Sequence, residues 1–166
     1  RGESVWVAHF LCYILRETAE LLEYLSREVM CPSASYLTEA AERYREQYAV
    51  VAGAVNERCW DGDWYIRGIR DDGDVIGSSR NTEGRIFMNA QSWAVISGVA
   101  DDDRARTAMD SADRLLITSR GPKILSPSYT QVDPGVGLAT RCVPGKKENG
   151  SIFNHVAAWA ILANAL

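Results

Sequence analysis

The sequence has little histidine and cysteine, which narrows the chemistry that it can carry. Its 166 residues include 2 histidines and 4 cysteines, and the cysteines lie far apart with no CxxC pair. Structural zinc sites use four such ligands at short spacings, so we expect no metal site. The even count would allow two disulfides, but Cys12 falls within an apolar helical pattern and suits a buried thiol. We therefore expect reduced thiols and a cytoplasmic protein.

Long apolar runs and basic clusters are also missing. No run reaches the about 20 apolar residues that cross a bilayer, so we expect no membrane partner. The net charge is −4, and the basic residues are scattered, which argues against nucleic acid as a partner. The GxSxG, Walker and HExxH motifs are absent, which excludes serine-nucleophile, nucleotide and zinc-hydrolase chemistry. Glycosyl chemistry based on carboxylates survives, because it needs only acids, aromatic rings and polar donors.

Apolar side chains recur at helical spacing, and the pattern predicts five helices. The first covers residues 5–27. The second follows CPSAS at 31–35, with Ser35 as its expected N-cap. The third covers about 89–99, the fourth follows three aspartates at 101–103, and the fifth covers 151–166. Successive helices of this kind predict an all-α fold of helical hairpins. The first helix has an apolar stripe of Val7, Phe10, Leu11, Ile14, Leu21, Leu22 and Leu25.

Two connections between the helices are unusually long. About 30 residues separate helices two and three, and about 33 separate helices four and five; connections of that length are usually functional when they are ordered. The first contains WYIRGI, DDGD and VIG, which predict a short β-hairpin. The second contains KILSPSYTQVDPG, rich in proline and β-formers. If both extend from one end of the helices, they would form a cleft there.

The first connector contains CWDGDWYIR, where aromatic, acidic and basic residues alternate. Trp60, Asp61, Trp64 and Arg67 suit a sugar, whose apolar faces pack on indoles and whose hydroxyls bond to charged groups. The alternative is that the two tryptophans close the end of the helical core while Asp61 makes a turn. Gln91 and Trp93, in the third helix, face the same choice between a ligand and core packing.

The second connector ends in PGKKENGSIFNH, which places Glu148 in a loop and His155 at the start of a helix. We expect the two side chains to meet at one pocket. The alternatives are that Glu148 caps the fifth helix and that His155 is a core histidine with its hydrogen bonds satisfied. His9, among apolar neighbours, is expected in the core.

Five segments taken in order resemble the catalytic domain of the inverting disaccharide phosphorylases of glycoside hydrolase family 94. They are GESVW at 2–6, WDGDWYIR at 60–67, DDG followed by GS at 71–78, EGRIFMNAQSWAVISG at 83–98 and PGKKENGSIFNH at 144–155. That family includes cellobiose, cellodextrin and chitobiose phosphorylases and the phosphorylase-like domain of cyclic β-1,2-glucan synthases.

The resemblance implies an (α/α)6 toroid in which inorganic phosphate attacks a β-linked oligosaccharide and no other cofactor takes part. By the same resemblance, His155 contacts phosphate. Glu148 lines the sugar site, and Asp61 is placed with it as a candidate catalytic carboxylate. Trp60, Trp64, Arg67 and Gln91 are then candidates for binding the sugar.

The sequence also departs from that family. The general acid of the family lies in an Asp-Trp-Asn-Asp-Gly stretch that would precede Arg1, and a Thr-Gly phosphate loop would follow the fifth helix. Five helices are also fewer than the twelve of a closed toroid. We therefore expect residues 1–166 to be part of a catalytic domain, cut at both ends and inactive alone. It would associate with the rest of the toroid or form a homodimer.

Two other functions fit the same residues. An inverting hydrolase would use Asp61 or Glu148 to hold a water molecule at about 6.5–9.5 Å from the acid. A non-catalytic segment would bind glycans or pack on a partner chain through its exposed apolar edges.

Overall fold

A computed structural model describes residues 2–28 and 34–166. Its helices follow the predicted order, so a helical fold with long structured connectors is confirmed. Within the two described ranges, none of the helices is long and apolar enough to cross a membrane. The predicted break at CPSAS lies mostly outside these ranges. The helices are α1 Val5–Glu28, α2 Ala34–Arg58, α3 Met88–Ile96, α4 Asp102–Leu116 and α5 Asn154–Ala165.

The two predicted helix starts have different outcomes. Asp101 caps α4, because its side chain accepts a hydrogen bond from the Arg104 N–H at 2.9 Å. Ser35, expected to cap the second helix, lies inside it, because α2 already begins at Ala34. The prediction of Ser35 as an N-cap is therefore wrong.

Helix α1 buries a different face from the one that its large apolar residues predict. The predicted stripe stays 44–55% exposed at Val7, Phe10, Leu11, Ile14 and Leu21. Apolar spacing shows that a face tends to be covered, but it does not say which neighbour covers it. In this structure the packed side of α1 carries smaller or polar residues. They are Val5, His9, Cys12, Leu15 and Ala19.

Short strands join the connectors to each other and to the start of the chain. The predicted hairpin is confirmed as an antiparallel pair, and residues before α1 add a third strand to it. A further pair links the first connector to the second, which confirms that the two connectors meet. The strands are β1 Glu3–Ser4, β2 Gly68–Ile69, β3 Val75–Ile76, β4 Ile86–Phe87, β5 Ile117–Thr118, β6 Gly121–Pro122 and β7 Leu125–Ser126; β5 pairs with β6.

Helices α1, α3 and α5 all begin at the same end of the molecule. Backbone hydrogen bonds show this. The Val5 N–H donates to the Arg67 carbonyl at 3.2 Å. The Met88 N–H donates to Ile124, whose own N–H donates to Ser151 just before α5, at 3.0 and 2.9 Å. Because Arg67 also packs on Phe87, beside α3, the three helix starts and both connectors share this end.

The interior contains reduced thiols and a buried histidine. Cys12 and Cys59 are buried free thiols, and burial raises the pKa of each to about 11. Cys142 is free and partly exposed, whereas Cys31 lies outside the described residues. His9 is fully buried, which confirms its expected place in the core.

Candidate functional site

Two clefts open at the end of the molecule where the connectors meet. The connector cleft, of about 560 Å³, lies between residues 70–83 of the first connector and residues 129–136 of the second. The strand cleft, of about 580 Å³, lies beside β1 and β2 and is closed by Phe87 and residues 135–139. Both volumes suit a small ligand.

Carboxylates hold the walls of the connector cleft. The Asp61 carboxylate accepts hydrogen bonds from the Ser78 hydroxyl at 3.0 Å and the Ser79 N–H at 2.5 Å. Glu83 crosses to the second connector, where its Oε1 accepts from the Thr130 N–H and hydroxyl at 3.0 and 2.5 Å. Asp61 thus fixes a turn, and both of its oxygens are already engaged in doing so.

Gln91 is fully buried and bonds only to the backbone of the first connector. Its Oε1 accepts from the Tyr65 N–H at 2.8 Å, and its Nε2 donates to the carbonyls of Tyr65 and Phe87 at 2.9 and 3.0 Å. The amide thereby makes the backbone hydrogen bonds that a neighbouring strand would otherwise make. Its donors are used and no part of it is exposed, so Gln91 stabilises the fold here, and a contact between Gln91 and a sugar stays a prediction.

Asn149 repeats this arrangement in the second connector. Its Oδ1 accepts from the Tyr129 N–H at 2.7 Å, and its Nδ2 donates to the carbonyls of Tyr129 and Cys142 at 2.8 and 2.7 Å. Asn149 was not among the predicted residues, because an Asn-Gly pair by itself indicates only a turn. In each connector, a buried amide therefore holds a tyrosine segment in place.

The tyrosine held by Asn149 packs on a bare glycine. Gly84 has a φ of +56°, and a Cβ there would overlap the hydroxyl and ring of Tyr129. The pKa of Tyr129 is raised to about 12, mainly by burial and then by nearby Asp133 and Glu83, while Arg67 opposes the shift. Neither Tyr129 nor Glu83 was predicted, although the Glu-Gly pair in EGRIF was a visible signal.

The two tryptophans of the first connector pack in the interior. Trp64 is 3% exposed, and its Nε1 donates to the carbonyls of Gly77 and Arg85 at 2.9 and 3.1 Å. This burial favours the alternative of core packing, and Trp64 as a sugar ligand stays a prediction. Trp60 is half-buried, with its ring 5.0 Å from that of Tyr65 and the Arg104 guanidinium 5.2 Å from its centre. It lines neither cleft.

Arg67 occupies an aromatic clamp at the mouth of the strand cleft. Its guanidinium lies 5.8 Å from the Trp6 ring centre and 5.9 Å from that of Phe87, and it donates to the Ser4 hydroxyl at 2.7 Å. Desolvation lowers the pKa of Arg67, although an arginine stays charged. The structure thus holds a fixed positive charge at the starts of α1 and α3.

Glu148 and His155 both reach solvent. Glu148 is exposed in a turn closed by the Asn149 N–H, which donates to the Lys146 carbonyl at 3.0 Å. His155 is the second residue of α5, and its exposed ring contacts Phe153 and Trp159 at 5.2 and 4.9 Å. Within the described residues, no hydrogen bond or ion pair joins Glu148 to His155. The alternatives of a cap and of a core histidine are wrong, since no side chain caps α5 and His155 is exposed.

The structure brings some of the predicted residues together and separates others. Arg67 and His155 lie at the end where α1, α3 and α5 begin. Trp60 instead packs against Arg104, in the first turn of α4. Trp60 and His155 therefore share neither a ring contact nor a cleft.

The first turns of the three helices that begin at this end carry no negative charge. None of the first turns of α1, α3 and α5 contains an acidic residue, and α3 and α5 have no side-chain cap. The unpaired N–H groups of a helix start carry partial positive charge. The clamped guanidinium of Arg67 adds a full positive charge beside the starts of α1 and α3. Within residues 2–28 and 34–166, no group of three or more His, Cys, Asp or Glu side chains could hold a metal ion.

Comparison with known proteins gives a consistent result. Residues 1–166 match the family model described as the Glycosyl hydrolase 94 superfamily, catalytic domain. The chain is 39% identical over 166 residues to the solabiose phosphorylase of Paenibacillus borealis, covering 100% of the chain and 20% of that protein. It is 34% identical over 164 residues to the N,N'-diacetylchitobiose phosphorylase of Vibrio proteolyticus, covering 98% of the chain and 19% of that protein. A cyclic beta-(1,2)-glucan synthase of Rhizobium meliloti is 32% identical over 166 residues, covering 99% of the chain and 6% of that protein.

Proposed function

Because the chain belongs to the glycosyl hydrolase 94 superfamily, as part of its catalytic domain, we propose that it is a segment of a carbohydrate phosphorylase. The parent enzyme would cleave a β-glycosidic bond with inorganic phosphate, invert the anomeric configuration and release a sugar 1-phosphate. The observation that carries this proposal is the full-length match to relatives named as phosphorylases. The chain spans about a fifth of their length, so the complete reaction needs residues beyond these 166.

The described end of the molecule supports a role in placing phosphate. The start of α5 has no acidic residue in its first turn and no side-chain cap, so its first N–H groups can face an anion, and His155 is exposed on that turn. A hydrogen bond from an imidazole N–H to a phosphate oxygen is charge-assisted, and so it is stronger than a neutral one. We propose that His155 donates this bond and that Glu148 orients a sugar hydroxyl. Phosphate is the only co-substrate, and no cofactor is proposed.

Among the described residues, the predicted catalytic carboxylate Asp61 is not placed to give a proton to the departing sugar oxygen. Asp61 uses its carboxylate to hold Ser78 and Ser79, and it lines neither cleft. We therefore propose that the general acid comes from outside the 166 residues and that the segment alone is inactive. Trp60, Trp64 and Gln91 then support the loops, while Arg67 stays at the cleft.

We also propose that the five helices belong to an (α/α)6 toroid. Helices α1, α3 and α5 begin at one end and are joined through helices that return, as expected for successive hairpins in such a fold. The substrate is left as a β-linked oligosaccharide. Identities of 39% and 34% to enzymes named for different disaccharides do not separate one sugar from another.

Product analysis tests the function. The full-length protein that contains this segment is incubated with β-linked disaccharides, with and without phosphate, and products are followed by ³¹P and ¹H NMR. We expect an α-configured sugar 1-phosphate that forms only with phosphate. Free sugar released at the same rate without phosphate would identify an inverting hydrolase instead, and no turnover with any sugar tested would favour a glycan-binding role.

A further inference from the structure

Within the described residues, the His155 ring contacts only aromatic side chains. Its ring centre lies 4.9 Å from that of Trp159 and 5.2 Å from that of Phe153, and the ring planes are inclined by 75° and 74°. Both contacts are edge-to-face, a geometry that aromatic pairs favour. No hydrogen bond to either ring nitrogen is found within residues 2–28 and 34–166. The orientation of this exposed ring therefore depends on its aromatic neighbours.

Trp159 is itself fixed by the two neighbouring helices. Its ring centre lies 5.7 Å from that of Trp6 on α1 and 5.4 Å from that of Trp93 on α3. Trp93 is 7% exposed and is held in turn by Phe10 and Tyr13 of α1, at 5.1 and 5.7 Å. An aromatic column, defined here as Trp6, Trp93, Trp159 and His155, thus runs from the packed interior to the exposed imidazole.

The far side of the column is clamped as well. The Arg67 guanidinium lies over the Trp6 ring at 5.8 Å and is tied to Ser4, so Trp6 has little freedom to rotate. Consequently the position of His155 on α5 is set by α1 and α3, whose starts lie at the same end. A ring that must meet a small anion gains from such support, because a misplacement of about 1 Å can cost about 100-fold in rate.

We propose that Trp159 is a positioning residue for His155, and that it fixes the direction of the imidazole N–H toward the bound phosphate. The effect of Trp159 on phosphate use rests on the proposed function. The contact by which Trp159 supports the His155 ring is a property of the fold. Trp159 does not touch phosphate in this proposal. It acts only through His155.

Two variants of Trp159 in the full-length protein test the proposal. Trp159→Phe keeps an aromatic ring at α5, whereas Trp159→Leu keeps only apolar bulk. We expect Trp159→Leu to raise the KM for phosphate by about 5- to 50-fold, within the loss that a misplaced group can cause. The KM for the sugar should change little, and Trp159→Phe should recover most of the phosphate affinity. Val55→Ala, a change in a separate core cluster, controls for lost stability, since it should lower Tm without moving the phosphate KM.

An NMR measurement makes the test independent of turnover. The His155 ring signals are assigned by their loss in His155→Gln, and their shifts are compared in the Trp159 variants. We expect the shifts to move strongly in Trp159→Leu and little in Trp159→Phe, because the indole ring current would be lost. If the ring signals move but phosphate has no effect on wild-type turnover, Trp159 still supports the His155 ring, whereas its effect on phosphate fails together with the phosphorylase proposal. Unchanged ring signals in Trp159→Leu overturn the inference, as does an unchanged phosphate KM in a phosphate-dependent enzyme.

Discussion

Individual side chains bond to backbone groups of the two connectors that helices and strands leave unpaired. Gln91 and Asn149 each satisfy both the N–H and the carbonyl of one tyrosine. A buried backbone group without a partner costs about 1–3 kcal/mol of folding free energy. Each of these amides avoids that cost for several backbone groups at once. This explains how connectors with strands of two residues can still form fixed walls.

The contribution of Asn149 can be measured directly. Asn149→Ala removes three hydrogen bonds and leaves buried groups of Tyr129 and Cys142 unpaired, so we expect a loss of about 2–5 kcal/mol in the free energy of unfolding. Urea denaturation measures it. Asn164→Ala, an exposed amide on α5, is the matched control and should change stability little. Equal losses in the two variants would show that the hydrogen bonds of the Asn149 side chain are unimportant for stability.

The proposed phosphate ligand gives a second prediction at this scale. In the full-length protein, His155→Ala should raise the phosphate concentration needed for half-maximal rate and cost about 2–4 kcal/mol in transition-state stabilisation, as for other single charge-stabilising donors. That corresponds to about 30- to 1,000-fold in kcat/KM for phosphate. Asn154→Ala, the exposed neighbour, should leave the phosphate dependence unchanged. An unaltered phosphate saturation curve in His155→Ala would remove His155 from this role.

His9 should make the protein sensitive to acid. Burial lowers the pKa of His9 from 6.5 to about 3, so between these values the unfolded chain binds a proton that the folded protein does not. The stability from neutral His9 is complete above about pH 6.5 and falls by about 1.4 kcal/mol per pH unit as the pH drops toward 3.

The variant His9→Phe keeps an aromatic ring next to Tyr65, which lies 5.2 Å from His9, and removes the titrating group. We expect its urea midpoint to decline less steeply than that of the wild type between pH 6.5 and 4. Exposed His155 provides the control, because His155→Gln should keep the wild-type slope. A His9→Phe protein with the same slope as wild type would mean that other groups cause the acid loss.

Among the secondary-structure elements, α4 has the best-defined start. The Asp101 side chain accepts from the Arg104 N–H at 2.9 Å, and Asp102 and Asp103 add negative charge to the first turn. Asp101→Ala should lower the unfolding free energy by about 0.5–2 kcal/mol, whereas Asp101→Asn should lose less, because asparagine also caps well. Thermal unfolding of the two variants distinguishes them. Equal losses would point to charge rather than to the cap.

Local sequence patterns predicted the elements whose causes are local. The three aspartates at 101–103 predicted the start of α4, and the DDGD turn between two β-forming runs predicted the β2–β3 hairpin. Both are found in the structure. The contribution of β1 to that sheet was not predictable. Its two residues carry no strand pattern, and they pair with a segment more than 60 positions away, Glu3 with Ile69.

The candidate site was predictable only in part for the same reason. The residue types of WDGDWYIR suggested a sugar-binding site. In the structure Trp64 is buried in the core, and the Asp61 carboxylate is hydrogen-bonded within a turn. Neither composition nor spacing shows whether an amide will face solvent or a backbone, so the backbone hydrogen bonds of Gln91 and Asn149 were not predicted. His155 at the start of α5 was predictable, because the turn signals before it fix where the helix can begin.

At the scale of the whole molecule, the exposed side of α1 and the end of α5 determine how the chain behaves alone. Phe10, Leu11 and Ile14 are 44–45% exposed, and on α5 Ile161 is 71% exposed. Apolar faces of this kind favour association with another surface. We therefore expect the isolated 166-residue chain to self-associate, to scatter light increasingly with concentration and to bind a hydrophobic dye.

The double variant Leu11→Lys and Ile161→Glu tests this directly. Both side chains are exposed, so the changes should reduce light scattering and dye binding without lowering Tm. Leu138→Lys is the matched control. Leu138 is 75% exposed but lies in the second connector, away from the helix faces, so its replacement should leave scattering unchanged. If the wild-type chain is a monomer at every concentration, or if the control acts as strongly as the double variant, these helix faces do not drive association. The same double variant can be made in the full-length protein. A fall in its Tm would show that other parts of that chain cover these faces.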